Sequence, residues 1–200
     1  VYFAFDEGRG TLQARARTLG LELDRHLESG LIRFKQIDPA ALSPGEFAAN
    51  VRRSVEHDQA RIVIVDSLNG YLNAMPDERF LVLQMHELLS YLGQQGVLSI
   101  LILAQHGLVG PMETPLDISY LSDAVLMLRY FEVGWTVRRA LSVVKKRSGE
   151  HEHTIREFSL SARGIKLGPP LTEFSGIFSG TPQYLGDRAA LLSADDHGEA

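Results

Sequence analysis

Between Gly96 and Gln105 runs Val97-Leu98-Ser99-Ile100-Leu101-Ile102-Leu103-Ala104, an apolar stretch broken by a single hydroxyl. A strand this apolar has no side to offer water. It is expected to be buried on both faces, as strands of parallel sheets are. Asp123–Leu128 reads the same way. Two further β-forming runs, Val1–Phe5 and Arg61–Val65, lead directly into acids, Asp6-Glu7 and Asp66. Leu31–Ile37 is a further extended piece. Helical patterns lie between these strands. One covers Thr11–Leu19, with Gly20 as its C-cap. Another opens on Ser43-Pro44-Gly45-Glu46, a capping box with proline in the first turn, and sets Phe47, Val51 and Val55 on one face. A third is capped by Asp77, carries the stripe Leu81, Met85, Leu88, Leu92 and ends at Gly96. Strands alternating with helices of this length specify a parallel α/β sheet with right-handed crossovers.

From Val137 onward the pattern changes. Ala140–Val144, Ile155–Leu160 and Gly164–Leu167 read as short strands joined by polar turns, an antiparallel extension on the sheet edge. Leu171–Tyr184, rich in Gly, Ser, Thr and Pro, reads as ordered but non-regular. Asp187–Ala200 is small, polar and acidic, and is expected to be mobile. The organisation expected is one domain over residues 1–186 and a tail over 187–200.

Composition narrows the function. A net charge of −5 and the lack of an aromatic-basic stripe argue against nucleic acid as a partner. The chain has no cysteine, which excludes disulfides, thiolate zinc sites and cysteine nucleophiles, and fits a cytoplasmic protein. No apolar run approaches the roughly 20 residues that span a bilayer. Val1 already lies inside a strand, so a fragment of a longer chain is expected.

The acids at the strand ends carry the chemistry. Ligands of open α/β sheets sit at the carboxyl ends of the strands. Ile62-Val63-Ile64-Val65-Asp66-Ser67 has the shape of a Walker B strand, whose aspartate holds Mg²⁺ through water during phosphoryl transfer. Taken alone, Asp66 reads equally as a cap for the next turn. Asp6 and Glu7 leave their strand toward opposite sides, so one can face an attacking water while the other holds it in place. Two solvated loop acids are the structural alternative. Gln105, after the long apolar run, suits a γ-phosphate sensor or a residue that satisfies local backbone. In Lys145-Lys146-Arg147, Lys145 and Arg147 share one face, where Arg147 can act as a finger and Lys145 as a point charge. The alternative is an edge-strand device against aggregation. His151 and His153 offer a metal pair with no third ligand at a familiar spacing.

Four segments, FDEGRGTLQARARTLG, RIVIVDSLNGY, ISYLSDAVLMLRYFEVGWTVRRALSVVKKRSGEHEHTIREFSLSARGI and GIFSGTPQY, resemble the KaiC family of RecA-like ATPases from Tyr2 to about Tyr184. They are most similar to the C-terminal ATPase domain of that family. The resemblance implies a RecA-like, mainly parallel sheet that binds and hydrolyses Mg-ATP at subunit interfaces of a homo-oligomeric ring, a hexamer. It implies Asp6 and Glu7 as the paired catalytic carboxylates, where the family usually has two glutamates, and Asp66 as the Walker B aspartate. It implies that Arg139, Lys145, Lys146, Arg147, Gly149 and His151 reach the nucleotide of the neighbouring subunit. Thr114 and Ser119 match phosphorylated positions of the clock protein, which implies a serine/threonine autokinase. Tyr120 stands where the clock protein has a threonine, which points to a non-clock bacterial relative.

One departure stands out. No Gly-x-x-x-x-Gly-Lys-Ser/Thr occurs in the 200 residues, so the N–H cradle and the lysine that hold the phosphates are missing. The phosphate loop and its strand, which lies between the counterparts of Leu98–Ala104 and Asp123–Leu128, are expected upstream of Val1. An ATPase weak or inactive in this fragment is the leading expectation. A non-catalytic RecA-like module for assembly or signalling is the alternative. The protein partners of either are left open by the sequence.

Overall fold

The computed structural model describes residues 1–73, 78–104 and 119–186. They divide into two units, the described residues of Val1–Ala104 with Ala162–Gly164, and the described residues of 119–161 and 165–186.

The first unit holds β1 (Tyr2–Ala4), α1 (Arg9–Thr18), α2 (Leu23–Glu28), β2 (Phe34–Gln36), α3 (Pro44–Glu56), β3 (Ile62–Asp66), α4 (Leu68–Asn73), α5 (Glu78–Gln94) and β4 (Leu98–Ile102). The four strands form one parallel sheet in the order β2-β1-β3-β4. The expected α/β class therefore holds, as do the main helices. The capping box forms at α3: Glu46 N–H donates to Ser43 Oγ at 3.3 Å and Ser43 N–H to Glu46 Oε2 at 2.8 Å. The Ser43 hydroxyl, which donates to Glu46 Oε2 at 2.7 Å, and then the Ser43 N–H hold the Glu46 carboxyl below its ordinary range. Leu81, Met85, Leu88 and Leu92 of α5 are all buried.

Period-two alternation in β1 turns Phe3 and Phe5 to one face, where both meet Phe47 of α3 edge-on at 5.3 Å between ring centres. Tyr71 of α4 closes the cluster, 5.2 Å from Phe47 and 6.1 Å from Phe5. Phe47 is thus the hub that fixes α3 and α4 against the strand carrying Asp6 and Glu7.

The long apolar run is not buried on both faces. In β4, Leu98, Ile100 and Ile102 are 57%, 41% and 40% exposed. β4 is the last strand in its sheet among the described residues, and only one of its faces is covered. Register places Leu98 and Ile100 beside Ile62 and Ile64 of β3 on that open face.

The second unit has its own four-stranded sheet, order β5-β6-β7-β8, built from β5 (Ala124–Val133), β6 (Thr136–Lys146), β7 (Arg156–Ser161) and β8 (Gly164–Pro170). Asp123–Leu128 therefore does not begin a parallel, doubly buried strand. It opens the long antiparallel strand β5, which pairs with β6 through Val133↔Thr136. The reason is the two-residue connection Gly134-Trp135, with Gly134 at φ +58°, far too short for a parallel crossover. One face of the β5–β6 ladder buries Arg129, Phe131, Ala140 and Ser142. Phe131 and Ala140 pack there with Ile177, Leu171, Phe174 and Phe178. The other face carries exposed Leu126, Leu128 and Tyr130. The segment read as non-regular contains a short antiparallel ladder, β9 (Phe174–Ser175) with β10 (Gln183–Tyr184).

Burial pushes the Tyr71 phenol up to about 12. A raised folded-state value means that this group's contribution is complete below about pH 10 and is lost as the pH rises toward 12. Urea unfolding between about pH 10 and 12 should therefore show a steeper loss of stability for the unaltered chain than for Tyr71→Phe. Equal slopes would refute this role of Tyr71.

Candidate functional site

Parallel pairing brings the acids together. Ala4 lies directly opposite Asp66, so the carboxyl ends of β1 and β3 are neighbours, and Asp6-Glu7 emerge beside Asp66-Ser67. Each acid has a partner. Ser67 Oγ donates to Asp6 Oδ2 at 2.5 Å, with the Ser67 N–H at 3.4 Å. The Tyr2 hydroxyl donates to Asp66 Oδ2. Arg15, on α1, binds Glu7 Oε2 at 2.6 Å. The strands thus exchange hydroxyls: β1 supplies Tyr2 to the acid of β3, and Ser67 after β3 serves the acid after β1. Burial, and then the bond to Asp66, push the Tyr2 phenol up from its ordinary value. Bonds to a charged acceptor are worth about 1.5–3 kcal/mol, so both exchanges hold carboxylates in place.

α4 begins immediately after Ser67. Gly70 is required there, because a Cβ would lie 2.4 Å from Phe5 Cβ and 3.1 Å from Asp6 Oδ1. Asn69 clamps the chain just after β4: its Nδ2 donates to the Ala104 carbonyl at 2.9 Å, and the Ala104 N–H donates to its Oδ1 at 2.8 Å. Tyr2, Asn69 and Gly70 were not singled out by sequence reasoning. The signal for Gly70 was a glycine two residues into the helix that follows a strand-end acid.

Gln105 and Thr114 fall outside the described residues, as do the Asp77 cap and the 187–200 tail. Ser119 lies in a single 3₁₀ turn, Ser119–Leu121, and its side chain is likewise outside the description.

The basic residues belong to the second unit. Lys145 and Lys146 end β6 opposite Val125 and Ala124. Lys146 Nζ donates to the Glu150 carbonyl at 3.0 Å across a turn in which Gly149 has φ +75°. Arg147 binds Asp123 at 2.9 Å and the Tyr120 carbonyl at 3.1 Å. The rings of His151 and His153 meet at a tilt of 55°, with centres 4.2 Å apart. Arg139 does not join them: six residues earlier on β6, it lies about 20 Å from Lys145 along the strand. There its guanidinium covers Tyr130 at 5.6 Å. Arg139 Nε and His151 Nε2 are buried without a hydrogen-bond partner among the described residues.

No group of three His, Cys, Asp or Glu that could hold a metal occurs among the described residues. Mg²⁺ keeps several waters and binds through one or two carboxylates plus phosphate oxygens. A single strand-end carboxylate, Asp66, with Asp6 beside it, suits that mode and not a closed protein cage.

The family model "ATPase: KaiC" matches residues 1–172. The chain belongs to the KaiC family of ATPases. The circadian clock protein KaiC3 of Synechocystis sp. is 27% identical over 185 residues, covering 91% of this chain and 36% of the relative. The circadian clock oscillator protein KaiC of Acaryochloris marina is 25% identical over 183 residues, covering 91% of this chain and 35% of the relative. The chain therefore spans about a third of the length of these curated relatives. Among the described residues no helix is long and apolar enough to cross a membrane.

Gly70→Ala should lower stability by about 1–3 kcal/mol, because the overpacked methyl pushes on Phe5. It should also shift the amide resonances of Asp6 and Ser67. An unchanged unfolding midpoint with unchanged resonances would show that α4 does not press on β1.

Proposed function

We propose that this KaiC-family domain, over residues 1–186, handles the metal and water half of an ATP site. The observation that carries the reading is the meeting of Asp6, Glu7 and Asp66 at adjacent ends of parallel strands, the edge where open α/β sheets take ligands. Asp66 is the acceptor for the hydration shell of Mg²⁺, which when bound neutralises phosphate charge. Glu7 polarises the attacking water. Arg15 fixes its carboxylate, and Asp6, anchored by Ser67, sets the position of the pair.

The basic end of β6 then serves a neighbouring copy in a homo-oligomeric ring, a hexamer. Lys145, Lys146, Arg147, Gly149 and His151 approach its phosphates. Arg139, farther along the strand, contributes from a separate position. The buried, unpartnered His151 Nε2 and Arg139 Nε support this, since buried donors or acceptors without partners are costly and a ligand can satisfy them. The 200 residues hold no phosphate loop, so on their own they are expected to bind ATP weakly. Gln105 as sensor and Thr114 and Ser119 as phosphorylation positions remain part of the proposal.

A non-catalytic module for assembly or signalling is the second reading. It is favoured by the internal commitments of Glu7 to Arg15 and of Arg147 to Asp123. Both pairs are largely exposed on the arginine side, and such pairs are worth about 0–1 kcal/mol, so a nucleotide can displace them at little cost.

In the full-length protein, Glu7→Gln should lower ATP turnover by about 10²-fold or more while leaving ATP binding intact. Turnover equal to that of the unaltered protein would favour the non-catalytic reading.

A further inference from the structure

We infer that Tyr2 is a positioning residue for Asp66: its hydroxyl ties down one carboxylate oxygen and leaves the other to the hydration shell of a divalent cation. The inference rests on the proposed metal role of Asp66.

The geometry is set by register. Tyr2 and Ala4 turn to the same face of β1, and Ala4 is paired with Asp66. Tyr2 therefore stands two residues, about 7 Å, behind Asp66 on the neighbouring strand. A phenol lying along the strand direction spans that gap, and its hydroxyl donates to Asp66 Oδ2. The ring is held from the other side. Tyr2 pairs with Phe34 of β2, and the two rings stack at 5.7 Å with 19° between their planes. Three adjacent strands thus cooperate: β2 supplies the backing ring, β1 the hydroxyl and β3 the acid.

A strand-end aspartate has two torsions to fix and no backbone N–H bond to either carboxylate oxygen among the described residues. Hydrogen bonding from outside the coordination sphere orients carboxylate ligands, and losing such a partner typically weakens metal binding 10–100-fold. Tyr2 is the described side chain that makes such a bond to Asp66. Tyr2→Phe removes one O–H and keeps the ring that stacks on Phe34, so it isolates the bond from the packing.

Mn²⁺ binding, followed by electron paramagnetic resonance on the unaltered chain, Tyr2→Phe, Phe34→Leu and Asp66→Asn, tests the inference. Asp66→Asn should abolish the tightest binding. Tyr2→Phe should weaken it about tenfold with an unchanged number of sites. Phe34→Leu, which frees the ring but keeps the hydroxyl, should weaken it less. Loss in Asp66→Asn with unchanged affinity in both Tyr2→Phe and Phe34→Leu would overturn the role of Tyr2 and leave Asp66 as the metal residue. Unchanged affinity in Asp66→Asn, or no saturable binding by the unaltered chain, would overturn the metal assignment itself. Should Tyr2→Phe fail to fold, the Phe34→Leu result decides the inference.

Discussion

The parallel pairing of β1 with β3 is the constraint on which the rest depends. One register, Tyr2 on Ile64 and Ala4 on Asp66, fixes which side chains meet at the strand ends. A slip of one residue would send Tyr2 and Asp66 to opposite faces and move Phe3 and Phe5 off the Phe47 hub. The aromatic cluster on one side and the Tyr2–Phe34 stack on the other both enforce that register. Core packing and site geometry are therefore consequences of the same pairing. The hydroxyl exchange between Tyr2–Asp66 and Ser67–Asp6 is its local expression at the site.

How much could be read in the sequence depended on how local the cause was. The Ser43–Glu46 box and the Leu81–Leu92 stripe are encoded within a few residues, and both were legible. The acids at the ends of β1 and β3 were legible as strand termini, and the family resemblance supplied their pairing. Burial of β4 was misread because an apolar run reports hydrophobicity and not how many neighbours a strand has. The direction of β5 was misread although Gly134-Trp135 marked a hairpin: the apolar content of Leu126 and Leu128 outweighed their period-two spacing. The short helices α2 and α4 lacked long stripes. Tyr2 and Gly70 escaped because their roles are non-local, a hydroxyl crossing to the next strand and a missing Cβ beneath Phe5.

The two units divide the proposed labour chemically. The first presents carboxylates suited to a hydrated cation and a nucleophilic water. The second presents cations suited to phosphate, gathered around the turn after β6. Such a division makes sense when the cations of one copy complete the acids of another, because neither set alone balances the charge of a nucleoside triphosphate.

The most direct measurement of the central claim is paramagnetic broadening of backbone amide signals by sub-stoichiometric Mn²⁺ with ATP present. If the strand ends of β1 and β3 form the cation site, the signals of Asp6, Glu7, Ser67 and Leu68 should broaden first. Broadening that begins at His151 and His153, or that touches no residue near Asp66, would contradict the account.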